Sequence, residues 1–182
     1  VMPSDLTGFS LYNKATGQME YQPGALLCNL FLADELNRAT SRTQSALLEA
    51  MEEGKVTVDG VSRPVPDPFL VVATQNPAGA SGTQLLPDSQ LDRFALRLSM
   101  GYPAPADELE LLQRKLRGDA MGEVAQAADR AQLTSLRAQV DRVFVDDEIL
   151  QYVLQLVRAT RSHPGLAQGA SPRAAISLCA LC

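Results

Sequence analysis

Two short apolar runs, each ending abruptly in polar side chains, constrain this chain more than any other feature. Residues 26–33, Leu-Leu-Cys-Asn-Leu-Phe-Leu-Ala, stop at Asp34-Glu35, and residues 69–74, Phe-Leu-Val-Val-Ala-Thr, deliver Gln75-Asn76-Pro77. Apolar runs of this length, not alternating with polar residues, are typical of strands in a parallel sheet covered on both faces. Between them Thr40 or Ser41 starts a helix, in which Ala46, Leu47, Ala50 and Met51 recur at helical spacing and which Gly54 stops. This order predicts an α/β sheet with a right-handed crossover. It also predicts that the two runs end at a shared carboxyl edge, where such folds bind ligands.

The flanking segments carry turn chemistry. Thr7-Gly8, Thr16-Gly17 and Pro23-Gly24 bracket two β-like runs, Gly8–Tyr12 and Gln18–Tyr21, which suggests a hairpin. Residues 55–66 alternate through Val56 and Val58 to Asp59-Gly60, then Val61 and Val65, and Asp-Gly in that setting signals a second hairpin. Residues 78–87 read as a loop containing Gly79 and Gly82, 88–94 as a helical turn, and 95–100 as a third strand ended by Tyr102-Pro103. From Asp107 onward the pattern is helical. Leu109, Leu112 and Leu116 open it, Leu133, Leu136 and Val140 continue it, and Ile149, Tyr152, Val153, Leu156 and Val157 form a helix capped near Asp146 or Asp147. Ser171-Pro172 opens the last helix, with Pro at the first helical position. The expected division is an α/β part over 1–103 and an all-helical part over 104–182.

Charge and cysteine usage narrow the function classes. The net charge of −5 offers no basic excess for counterion release, so a sequence-independent grip on nucleic acid is not expected. No stretch reaches the roughly 18 apolar residues of a membrane span, and no basic segment followed by an apolar run marks a secretory signal. Cys28, Cys179 and Cys182 do not make a disulfide framework, which fits a reducing cytoplasm. Cys179 and Cys182 have CxxC spacing, but without a second pair they read as helix core. His163, the one histidine, reads as a loop residue. Both ends read as cut: the chain opens on a loop-like segment and closes inside the apolar run 174–182.

Five side chains carry candidate chemistry. A strand-end aspartate such as Asp34 helps hold Mg²⁺ in P-loop NTPases, and the following Glu35 is suited to orient and polarise water. A solvated acidic pair is the plainer alternative. Asn76 can hydrogen-bond a water or a phosphate oxygen without adding charge, or Asn76-Pro77 can be only a turn. Arg93, in Leu91-Asp92-Arg93-Phe94, is flanked by apolar anchors that could hold its guanidinium rigidly toward a phosphate, and a local ion pair with Asp88 or Asp92 competes with that reading. Arg173 stands at a helix N-terminus, which suits anions, though a solvated position in the first turn is equally simple. Glu52-Glu53 reads as a solvated helix end.

Longer stretches tie these residues together. Leu32-Ala-Asp-Glu-Leu-Asn-Arg-Ala39, running on through Thr43-Gln-Ser-Ala-Leu-Leu-Glu-Ala-Met-Glu-Glu-Gly54 to Val58-Asp-Gly60, resembles the Walker B region and following helix of the MoxR-family AAA+ ATPases. Ala73-Thr-Gln-Asn-Pro77 resembles that family's sensor 1, Gln90-Leu-Asp-Arg-Phe94 the segment with its arginine finger, and Gly169-Ala-Ser-Pro-Arg173 its sensor 2. Pro3-Ser-Asp-Leu-Thr-Gly8 and Tyr21-Gln-Pro-Gly24 resemble the insert in helix 2 of this clade. The resemblance covers essentially the whole chain, with the motifs in family order.

The resemblance implies a fold: part of an AAA+ P-loop-type α/β core, a parallel sheet with helices and β-hairpin inserts, followed by an all-helical lid domain. It implies ATP and Mg²⁺ as cofactors. Asp34 would hold Mg²⁺, mostly through water, and Glu35 would activate the hydrolytic water. Asn76 would position that water and sense the γ-phosphate. Arg93 would reach a neighbouring subunit's nucleotide in a ring, usually a hexamer, and Arg173 would act on its own subunit's phosphates. Partners would be a protein with a von Willebrand factor A domain and a client whose maturation or metal-cofactor loading the ATPase assists. One departure stands against this: no Gly-x4-Gly-Lys-Ser/Thr run occurs in the chain, since Gly79 and Gly82 are not followed by Lys. The family carries that segment upstream of the position of Val1, so the chain by itself is expected to bind ATP poorly. A non-catalytic AAA+-like interaction module is the alternative function, and a Mg²⁺-dependent phosphate-cleaving enzyme without a P-loop is a third.

Overall fold

In the computed structural model, residues 1–76, 86–118, 122 and 124–182 are described. They cluster into two compact units, Val1–Ala95 with Gln151–Cys182, and Leu96–Leu150.

The first unit begins with a helical turn, α1 (Pro3–Thr7), whose Asp5 carboxylate accepts the Met2 N–H at 2.7 Å. Strands β1 (Phe9–Asn13) and β2 (Gln18–Gln22) follow as an antiparallel hairpin. Gly24 lies so close to α1 that a Cβ there would come within 2.2 Å of the Leu6 carbonyl oxygen, so no side chain fits. Strand β3 (Leu30–Ala33) pairs in parallel with β6 (Leu70–Ala73), Leu30 opposite Leu70 and Ala33 opposite Ala73. Between them run α2 (Ser41–Glu53) and the hairpin of β4 (Lys55–Val58) and β5 (Val61–Pro64). The Thr40 side chain caps α2 by accepting the Thr43 N–H, and Gly54, at φ 62°, ends it with its N–H on the Ala50 carbonyl. Asp59 and Gly60 both take positive φ, the geometry a two-residue hairpin loop demands.

The core of this unit joins α1, α2 and the sheet. Leu26 and Leu47 are fully buried, with Leu6, Ala33, Leu36, Leu48, Ala50, Val56 and Leu86 around them. Phe31, Val71 and Ala73 pack against that cluster. Leu30, Leu32, Leu70 and Val72, on the other face of β3 and β6, are 46–63% exposed. The strands were expected to be covered on both faces. Among the described residues one face is covered, because α2 and α1 pack on the side that presents Phe31, Ala33, Val71 and Ala73, and successive side chains on a strand point oppositely.

Two further expectations shift. The leading half of the 26–33 run is not strand: Leu26 donates its N–H to the Leu6 carbonyl at 3.0 Å and Leu27 to Gly24 at 3.2 Å, and pairing starts only where β6 offers a partner. Residues 95–100 are irregular. A strand exists only as a member of a ladder, and no ladder partner for them stands among the described residues. The expected loop over 78–87 falls mostly outside the described residues. Helix α3 (Asp88–Leu91) is a single turn, and α4 (Pro105–Arg117) and α5 (Arg130–Val140) lie in the second unit. Helix α6 (Asp147–Ser162) and α7 (Pro172–Leu181) close the chain as the helical pattern predicts.

Candidate functional site

The parallel register carries the chemistry. Because Ala33 is level with Ala73, the next residues, Asp34 and Thr74, emerge together at the carboxyl edge. The ladder runs on by two bonds, Thr74 N–H to the Ala33 carbonyl at 3.0 Å and Leu36 N–H to the Thr74 carbonyl at 2.9 Å. The Thr74 hydroxyl donates to Asp34 Oδ1 at 2.5 Å and accepts the Glu35 N–H at 2.9 Å. One hydroxyl therefore holds the Asp34 carboxylate and the Glu35 backbone together.

Glu35 turns the chain. It adopts the left-handed conformation (φ 50°, ψ 47°), which a non-glycine residue takes up at a cost. It leads into a 3-10 turn, Leu36–Arg38, and its carboxylate meets Arg38 at 3.3 Å. That pair is about half exposed and contributes well under about 1 kcal/mol.

Beneath the edge lie two buried amides. Asn37, 1% exposed, donates from Nδ2 to the Asn76 carbonyl at 3.0 Å. Gln44 on α2, 2% exposed, donates from Nε2 to the Leu36 carbonyl at 3.1 Å. Asp34, Glu35 and Asn76 are thus tied together at the end of the β3–β6 ladder, the first two by Thr74 and the third, through its backbone carbonyl, by Asn37. Sequence reasoning named the three and missed their holders. A threonine ending one strand level with an aspartate ending the other was a usable signal, and so was an asparagine directly after the acidic pair.

The donor set suits a hard cation shared with a phosphate. Ionised Asp34 accepts through two oxygens, and Thr74 engages one of them. Mg²⁺ usually keeps several waters and takes one or two carboxylates plus phosphate oxygens. No group of three or more His, Cys, Asp or Glu side chains gathers among the described residues, so an all-protein metal cage is not offered there.

Arg93 and Arg173 form a second group. Arg93 Nη1 forms an ion pair with Glu52 Oε2 at 2.6 Å and donates to the Leu48 carbonyl at 3.0 Å. Arg173 Nη2 meets the other oxygen of the same carboxylate, Glu52 Oε1, at 2.6 Å. Neither local partner considered for Arg93 is the one it takes. Asp92 instead accepts the Ser171 hydroxyl at 2.7 Å, and Glu53 pairs with Lys55 at 3.0 Å. Glu52, read as a solvated helix end, is the shared anchor of both arginines. Sequence order hides this, since Arg173 and Glu52 stand 121 residues apart.

Residues 1–96 match the ATPase family associated with various cellular activities (AAA). The chaperone MoxR1 of Mycobacterium tuberculosis is 36% identical over 189 residues, covering 99% of this chain and 50% of MoxR1. The chain belongs to the MoxR-type AAA+ ATPases. A second relative, the uncharacterized protein YeaC of Bacillus subtilis, is 46% identical over 178 residues, 98% of this chain and 56% of YeaC. A crystal structure of a Cytophaga hutchinsonii protein with a provisional ATPase name superposes with a TM-score of 0.85 at 36% identity, covering 99% of this chain and 57% of that one. This AAA+ chain spans about half the length of the curated relatives it matches. Its fold is the α/β core part and helices expected of the family. No helix among the described residues is long and apolar enough to cross a membrane.

Proposed function

We propose that this chain works as part of an ATP-hydrolysing, chaperone-like AAA+ subunit. The observation that supports this best is the clasp at the sheet edge, where one threonine hydroxyl bonds the Asp34 carboxylate and the Glu35 backbone N–H while Asn37 holds the backbone carbonyl of Asn76. When bound, MgATP supplies the phosphoanhydride to be cleaved and a cation that offsets its charge. Asp34 would hold the cation, mostly through water. Glu35 takes the proton of the attacking water, and Asn76 orients that water without adding charge. Arg173 contacts phosphates of its own subunit, and Arg93 those of the next subunit in a ring, so the working form is an oligomer, a hexamer by family likeness. The described residues supply the acidic and sensing side of such a site. No Gly-Lys-Ser/Thr phosphate cradle occurs in the 182 residues.

The chaperone name of MoxR1 supports a client-remodelling role, with metal-cofactor loading and a von Willebrand factor A domain partner as the finer reading, in the cytoplasm. The test is Mg²⁺-dependent ATP turnover by the full-length protein, wild type against Glu35→Gln and Arg93→Ala. Turnover by the wild type, falling by more than about a hundredfold in both variants, is expected for a base and a finger arginine. A wild type that neither binds nor hydrolyses nucleotide sinks the ATPase reading and leaves the interaction module in its place.

A further inference from the structure

We propose that Glu52 is a positioning residue that holds Arg93 and Arg173 as a pair and makes the engagement of each depend on the other. What the two arginines do rests on the proposed function; their pairing does not. Each oxygen of the Glu52 carboxylate serves one arginine, Oε2 for Arg93 and Oε1 for Arg173, both at 2.6 Å. Glu52 lies in the last turn of α2, and Arg93 also donates to the carbonyl of Leu48, one turn earlier in that helix. A helix C-terminus favours such cations through its exposed carbonyls and dipole.

The segment bearing Arg173 is fixed independently. Gly169 packs so closely on α6 that a Cβ would come within 2.5 Å of Arg161 Cα. The Ala170 N–H donates to Thr160 Oγ1 at 2.9 Å, and Arg161 Nε donates to the Ala170 carbonyl at 3.0 Å. Ser171 caps α7 by accepting the Ala174 N–H at 3.0 Å while its hydroxyl donates to Asp92, the neighbour of Arg93. The segments 92–93 and 171–173 are therefore joined twice, at Asp92–Ser171 and through Glu52.

Two guanidinium groups share one carboxylate at a place solvent can reach, with Arg93 32% and Arg173 41% exposed. A phosphate group competes with Glu52 for either arginine. When Arg173 turns to the phosphates of its own subunit, Arg93 keeps the whole carboxylate and is held more firmly against α2. When Arg93 reaches a neighbour's nucleotide, Arg173 is held in turn. Coupling of this kind is reciprocal by thermodynamic necessity. Glu52 thus links occupancy of a subunit's own site to the availability of the arginine it lends next door.

The experiment is steady-state ATP turnover by full-length wild type, Glu52→Gln and Glu52→Asp, with thermal unfolding and light scattering on each. Gln keeps the shape and loses the charge. Asp keeps the charge and loses the reach to both arginines. Half-exposed ion pairs carry at most about a fivefold effect each, so both variants are expected to lower KM for ATP by up to about fivefold, because Arg173 is freed for the phosphates, and to lower kcat by roughly threefold to tenfold, because Arg93 loses its anchor, with the ring kept and the unfolding midpoint lowered by only about 2–8 °C. A folded Glu52→Gln that leaves either parameter at the wild-type value overturns the proposal, and so does a Glu52→Asp variant that behaves as wild type, since charge alone would then suffice. Should Glu52→Gln fail to fold, the Glu52→Asp result decides. If the wild type shows no turnover, the ATPase reading is what failed, and double-mutant cycles in unfolding decide the pairing. Measurable coupling of Glu52 with both Arg93 and Arg173 supports it, and coupling with only one or with neither refutes it.

Discussion

Replacing Thr74 by valine removes one hydroxyl and little else, and the geometry at the sheet edge says what that should do. The hydroxyl makes two bonds, one to the Asp34 carboxylate at 2.5 Å and one from the Glu35 N–H at 2.9 Å. A hydrogen bond to an ionised group contributes about 1.5–3 kcal/mol and a neutral one about 0.5–1.5 kcal/mol. Both Asp34 and Thr74 are exposed at this edge, so water replaces part of each bond. The net loss of orientation then comes to about 1–2 kcal/mol. If the acidic pair performs the chemistry proposed for it, that loss appears as a drop in ATP turnover of about fivefold to thirtyfold. Thr74→Ser restores the hydroxyl and removes only a methyl group, so it should stay within about threefold of the wild type. The assay is Mg²⁺-dependent phosphate release by the full-length protein at saturating ATP, with unfolding midpoints measured alongside. Thr74→Val turning over within twofold of wild type, with Thr74→Ser the same, would refute the claim that Thr74 orients the pair.

Asn37→Ala removes the buried donor to the Asn76 carbonyl and is expected to lower stability by about 1 kcal/mol and ATP turnover by about tenfold. Equal turnover by a folded Asn37→Ala would show that Asn76 keeps its place without it. Leu47→Ala empties a fully buried position on α2 and should cost about 3 kcal/mol, read as a lower urea midpoint at an unchanged slope. An unchanged midpoint would mean that the cluster around Leu47 is not part of the cooperative core.

Much of this protein was legible locally. Thr40 and Gly54 announced both ends of α2, Asp59-Gly60 announced a hairpin, and Ser171-Pro172 opened α7, because caps and turns depend on the backbone of a few adjacent residues. The five candidate residues were likewise visible as motifs, and three of them stand at one edge because two parallel strands end in register. What the sequence left open were relations across distance. A third strand was expected at 95–100, but strand character there depends on a ladder partner that periodicity does not report. The side of β3 and β6 that is covered depends on where α1 and α2 pack, which the apolar runs do not say. Thr74 and Glu52 look ordinary in a linear reading. Thr74 becomes the clasp of Asp34 and Glu35 only when register sets them level, and Glu52 becomes the anchor of Arg93 and Arg173 only when the segment after α3 and the start of α7 reach the end of α2. Hydrogen bonds and ion pairs act over about 3 Å, so their partners are chosen by folded proximity. The sequence by itself determined which groups were available, and the tertiary structure decided which of them touch.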